Sequence, residues 1–151
     1  MRGSALTLAS VAAAALAIGV GAPPAAEIST PFVVARAPLG KSVRDLLRGR
    51  VAEDVMCTRA CAVSTSVVIR RSAARRLGIT GVTGDWYEIG TASGRLSARV
   101  HRKLTLQLKP RAVEAIGKAG AAKLQILGRV EARATAAPAK RGSAAWIVTL
   151  A

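Results

Sequence analysis

The chain has 151 residues, room for one domain and no more once an export signal is removed. Hydrophobic residues make up 51% of it, which argues against a disordered chain. The net charge of +15 loses one unit with the leader, whose sole charge is Arg2, and the remaining ~+14 favours solubility and attraction to anionic polymers or membrane surfaces without naming one.

Met1-Arg2 is followed by an apolar run from Ala5 to Ala22, interrupted only by small or weakly polar residues. A short positive start, an Ala/Leu-rich centre and a small-residue end describe a secretory signal peptide over residues 1–26, cleaved after Ala26. No cysteine ends the run, which argues against a lipoprotein anchor. The alternative is an uncleaved membrane anchor, although the run falls short of the roughly 20 residues that a spanning helix needs. The expected location is therefore secreted or in the extracytoplasmic cell envelope, with anchoring as the alternative.

Residues 27–42 carry Pro31, Pro38 and Gly40 around Phe32-Val33-Val34-Ala35, and read as a linker with a short edge strand. Ser42 opens a helical turn over Val43 to Leu47. From Val51 the period becomes two, with Val51, Glu53, Val55 and Cys57 on one face and Ala52, Asp54 and Met56 on the other. Cys57 and Cys61 are the two cysteines, and outside the cell an even count favours a disulfide that fixes a tight turn between two strands. A redox pair prefers a two-residue spacer, and a metal site would need carboxylates in a pattern that is not visible.

Val63, Thr65, Val67 and Ile69 alternate with Ser64 and Ser66. Ser72 can cap a short helix over Ala73 to Leu77 that Gly78 ends. Val100, Leu104, Leu106 and Leu108 oppose Arg99, His101, Lys103, Thr105 and Gln107. Pro110 suits the first turn of a helix carrying Ala112, Val113, Ile116 and Ala119, stopped by Gly120. Leu124, Ile126, Val130 and Ala132, then Trp146, Val148 and Leu150, resume the two-residue period. Ile69 to Leu77 and Leu108 to Ile116 have equal spacing, each a strand ending in a basic residue and running into a short helix, as in a duplicated corner. Several alternating strands separated by Gly-bearing turns predict an all-β sandwich or barrel.

Cys57-x-x-x-Cys61, the alternating valine strand, Ala74-Arg75-Arg76-Leu77-Gly78, Leu104-x-Leu106-x-Leu108 leading into an Ala-containing helix, and the closing strand together resemble a known module. The similarity is to the immunoglobulin-like β-sandwich modules of secreted actinobacterial proteins, over about residues 43–151. It implies an antiparallel sandwich of about seven strands with one or two short helical turns at the connections. Where those modules carry a Gly-Asn turn before the last strand, this chain has Pro138-Ala139-Lys140-Arg141-Gly142. The resemblance implies no catalysis and transfers no ligand-binding residue.

No catalytic, cofactor-binding or metal site is expected. His101, the sole histidine, lies on a face assigned to solvent with no carboxylate visibly placed to orient it, and Glu53 and Asp54 point to opposite faces. Gly40-Lys41-Ser42 lacks the glycine-rich run of a phosphate-binding loop. Trp146 is assigned to the core; Trp86 and Tyr87 face opposite ways, one in and one out. Arg99 and Lys103 on one strand and Arg129 and Arg133 on another are the candidate contacts for anionic polymer; Arg70, Arg71, Arg75 and Arg76 cluster at a strand-to-helix corner, and the patches would make one site if they adjoin. Specific nucleic-acid recognition is not expected, because exposed aromatics are not interleaved with the charge. The first functional expectation is a non-catalytic structural or adhesion module of the cell envelope; the alternative is a cationic binder of anionic envelope polymers or lipid headgroups. Protein partners are not specified.

Overall fold

The computed structural model describes residues 31–151. The expected signal peptide and the first residues of the expected linker lie outside the described residues. Two antiparallel sheets carry the fold, and the all-β class follows from them. The smaller sheet has the order β1 (Val33–Arg36), β2 (Ala52–Cys57), β5 (Arg102–Thr105). The larger has the order β6 (Gln107–Leu108), β4 (Trp86–Leu96), β3 (Cys61–Arg70), β7 (Leu124–Ala134), β8 (Arg141–Leu150). One apolar core joins them, taking Val33, Val55 and Leu104 from the smaller sheet and Val63, Val67, Ile126 and Val130 from the larger. The segment read as a linker contributes to this core through Phe32 and Val33, so the packed unit begins at Pro31.

Helix α1 (Val43–Leu47) starts at Ser42, whose hydroxyl accepts from the Asp45 amide while the Asp45 carboxylate accepts from the Ser42 amide. The bonds that the Asp45 carboxylate accepts from the Ser42 amide, foremost, and from the Ser42 hydroxyl hold its carboxyl below the usual range. Helices α2 (Arg71–Arg76) and α3 (Pro110–Ala119) begin differently. Neither has a side-chain cap. Their preceding residues, Arg70 and Lys109, adopt nearly the same extended backbone, φ −65°, ψ 149° and φ −67°, ψ 141°. The repeated spacing in the sequence thus corresponds to a repeated backbone corner. Ser72 does not cap α2, because the strand runs straight into the helix and leaves Ser72 inside its first turn.

The segment 102–108 crosses between sheets. Arg102–Thr105 pairs with β2, Leu106 is buried at the crossing, and Gln107–Leu108 pairs with β4. Gly90 permits this: a Cβ there would meet the Gln107 carbonyl and the Leu108 Cα. Upstream, the expected alternation fails at Val100, which is 52% exposed. Arg99 has φ 60° in the connection between β4 and β5, so the extended backbone restarts only at Arg102.

Cys57 ends β2 and Cys61 begins β3, and their disulfide closes the corner at which the chain leaves the smaller sheet for the larger. Arg59, within that loop, donates to the Ala136 and Pro138 carbonyls, each at 2.9 Å, and so ties it to the β7–β8 turn. A five-residue loop restricts the unfolded chain little, so Cys57→Ser/Cys61→Ser is expected to cost about 2 kcal/mol and leave a cooperative transition in denaturant. Alkylation of unreduced protein should label neither cysteine; labelling of both in freshly oxidised protein would contradict the bond.

Candidate anion-binding face

Strands β3, β4, β7 and β8 alternate between the core and the outer face of the larger sheet, and their pairing aligns the outward residues in rows. One row reads Arg95, Ala62, Arg133, Arg141 across β4, β3, β7 and β8. All three arginines are exposed, and no carboxylate lies within ion-pair distance of them among the described residues. The next row reads Ser93, Ser64, Glu131, Ser143, and the third Thr91, Ser66, Arg129, Ala145. Neighbouring strands stand about 4.8 Å apart and Arg129 and Arg133 about 13 Å apart along β7.

Small side chains at Ala62, Ser64, Ser66, Ser143 and Ala145 leave this face hollow. A depression of about 310 Å³ runs over Ala62 and Ser64 beside Arg133 and Arg141. A second, of about 640 Å³, runs over Ser64, Ser66, Ser143 and Ala145 beside Arg129. Ser64 and Glu131 line both, so the two form a continuous trough with arginines along it and one carboxylate inside it.

Trp86 stands at the far end. It pairs with Arg70 across β3–β4, and the Arg70 and Arg129 guanidinium groups lie 5.1 and 5.2 Å from its ring centroid. Because Arg129 belongs to β7, the indole must reach across β3, and Val68 on this outer face is only 5% exposed. The two contacts hold Arg70 and Arg129 over the sheet by attraction to the indole π face. Tyr87 points the other way and, like Trp86, is partly exposed. Beside them Ser66 donates to Glu88 at 2.5 Å and Lys109 pairs with Glu88 at 3.0 Å. These bonds, the serine foremost, hold the Glu88 carboxyl below its usual range.

The four expected contact residues divide between two parts of the fold. Arg129 and Arg133 share the trough, but Lys103 lies on β5 of the smaller sheet and Arg99 in the turn before it. The alternation of residues 99–103 implied a single strand, and the left-handed backbone at Arg99 breaks it. On the smaller sheet, moreover, the row is Arg36, Asp54, Lys103, with the carboxylate between the two cations. Arg95 and Arg141 join Arg129 and Arg133 instead. Their parity with Leu96 and Trp146, both core residues, pointed outward, but placing them beside Arg133 required the pairing of four strands.

His101 has a carboxylate after all: its Nδ1 lies 3.3 Å from the Asp54 Oδ1, with half of its side chain exposed. Glu53, by contrast, is fully buried between the sheets. Its carboxylate accepts from the Thr65 hydroxyl and, at 2.7 Å, from the Trp146 indole N–H. Burial pushes its carboxyl above the usual range, against the opposing pull of the two hydrogen bonds. Among the described residues no three His, Cys, Asp or Glu side chains are grouped to hold a metal, and no helix is long and apolar enough to cross a membrane. No family model matches the chain, and neither a curated protein nor a solved structure similar to it was found.

Proposed function

We propose that the protein is an exported, non-catalytic immunoglobulin-like module of the cell envelope that binds anionic polymer or lipid headgroups along the trough of its larger sheet. The immunoglobulin-like reading is supported by strand order. The first, second and fifth strands share a sheet, and the third lies beside later strands in the other, as A, B and E face C, F and G in the immunoglobulin sandwich. The fourth strand departs from the constant-type arrangement by pairing with the third.

The observation that carries the binding reading is the asymmetry of charge. Arg95, Arg133 and Arg141 stand abreast beside a hollow floor of small residues, whereas the smaller sheet interleaves its cations with Asp54. Adjacent like charges on a sheet cost stability, so an unpaired row is better explained by a ligand than by folding. Phosphate or carboxylate groups spaced along a chain would meet successive guanidinium groups, releasing counterions as they bind. The face of Trp86 is already taken by two guanidinium groups, which argues against base stacking and for backbone charge as the feature read. The Asp54–His101 pair lies on open surface and the Glu53 carboxylate is spent on core hydrogen bonds, which supports a role without catalysis.

Binding to vesicles rich in anionic lipid, or to a polyphosphate-backbone polymer, should be measurable at low salt and weaken steeply as salt rises. Changing Arg95, Arg129, Arg133 and Arg141 to Gln is expected to flatten the slope of log affinity against log salt by about three. The same loss of charge at Arg36, Arg48, Arg99 and Lys103 should flatten it far less. Equal losses from the two sets, or no binding at low salt, would favour the purely structural module.

A further inference from the structure

The edges of the two sheets are treated unequally. β1 and β5 have four residues each and β6 two, whereas β8 runs for ten along the edge of the larger sheet. No described strand pairs with its outer side. After Arg141 the strand contains no charged residue and no proline, the devices that ordinarily keep an edge from pairing with another chain. Its outward side chains are small or hydroxylated except Ile147, which is 53% exposed.

We propose that β8 pairs antiparallel with β8 of a second copy of this chain about a two-fold axis at Trp146, joining the two larger sheets into one. Such an interface is isologous, so each outward residue must suit its symmetry mate. About that axis Ala145 of one copy stands opposite Ile147 of the other, and Ser143 opposite Thr149. A small residue therefore receives the exposed isoleucine at both ends of the pair, and the two hydroxyl residues face each other, a favourable cross-strand combination. Shifting the axis by one residue to Ile147 would set the two isoleucines against each other and Ala145 against Thr149, which loses the small-to-large fit. The two Arg141 side chains end up roughly 30 Å apart along the joined strands, beyond the screening length at physiological salt. The backbone groups of the edge supply the attraction, as in strand addition generally.

This pairing stands without the anion-binding reading, and its salt dependence has the opposite sign. Each copy is strongly cationic, +15 over the whole sequence, so screening eases the encounter and added salt should tighten the dimer while it weakens binding to anions. Sedimentation of the purified protein over a concentration series should show a monomer–dimer equilibrium that shifts towards dimer as salt rises. Ile147→Lys and Ala145→Lys should each raise the dissociation constant by at least about tenfold, while the thermal transition of the dilute monomer stays put. A register test makes the outcome independent of those variants. Ala145→Cys/Ile147→Cys should oxidise to a covalent dimer, whereas Ser143→Cys/Ile147→Cys, whose positions do not face each other, should not. A monomer at every concentration in high salt would overturn the proposal, as would a dimer untouched by both lysine variants or cross-linked equally by both cysteine pairs.

Discussion

Gly128→Ala is expected to destabilise the folded domain by about 3 kcal/mol, more than a single methyl group usually costs in a core. Gly128 lies opposite Trp146 in the β7–β8 ladder, and the indole packs against it. A Cβ at position 128 would clash with Cε2, Cζ2 and Nε1 of the indole. In an ordinary overpacked site the flexible end of a side chain swings away, but Trp146 is only 6% exposed and its Nε1 is bonded to the buried Glu53. Moving the ring therefore breaks that bond as well, leaving a carboxylate between the sheets with Thr65 as its remaining donor. Urea titration of the two proteins should show a lower midpoint at unchanged slope. The combination Gly128→Ala/Trp146→Leu should lose less than the sum of its single changes, because the clash disappears with the ring. Additive losses would mean that Gly128 matters for some reason other than the indole.

The same trio shows what could be read from residues in order and what could not. Alternation along β2 places Glu53 on the side of Val51 and Val55, and the two-residue period of β8 alone assigns Trp146 to the core. That the two would meet, 93 positions apart in the chain, depends on how two sheets stack, which no local pattern encodes. The arginine face was half legible for the same reason. Parity along β7 set Arg129 and Arg133 outward together, whereas Arg95 and Arg141 reach them only through the pairing of β3 with β4 and of β7 with β8. The single strand expected through Arg99 and Lys103 was not legible as broken, because regular spacing cannot register a single left-handed residue, here Arg99, that ends the extended backbone. The Ser42 start of α1 and the Pro110 start of α3 were legible because each depends only on residues within one turn.

Glu53 should also make stability depend on pH in a direction opposite to that of the other shifted carboxyls. Burial raises its folded-state pKa above the value of 4.5 for a free side chain, so the folded protein holds this proton more tightly than the unfolded chain does. Its contribution is then fully present below the unfolded pKa and is lost as pH rises through the folded pKa. Asp45 and Glu88 are shifted down, so their contributions are present at neutral pH and are lost in acid. The profile of the whole protein mixes the two, and Glu53→Gln separates them. Glutamine keeps an acceptor for the Trp146 N–H and a polar group for Thr65 but cannot ionise. Near pH 4 the two proteins should differ little. With rising pH the glutamine variant should become the more stable, the gap widening by up to about 1.4 kcal/mol per pH unit until the folded pKa is passed and holding constant above it. Glu53→Leu, by contrast, should be less stable than wild type in acid by about 2–4 kcal/mol, since it strands both the Thr65 hydroxyl and the Trp146 N–H inside the core. Denaturant titrations of the three proteins from pH 4 to 9 would decide the matter. A Gln-versus-Glu gap that stays the same across that range would show that Glu53 is as ionised in the folded protein as in the unfolded chain.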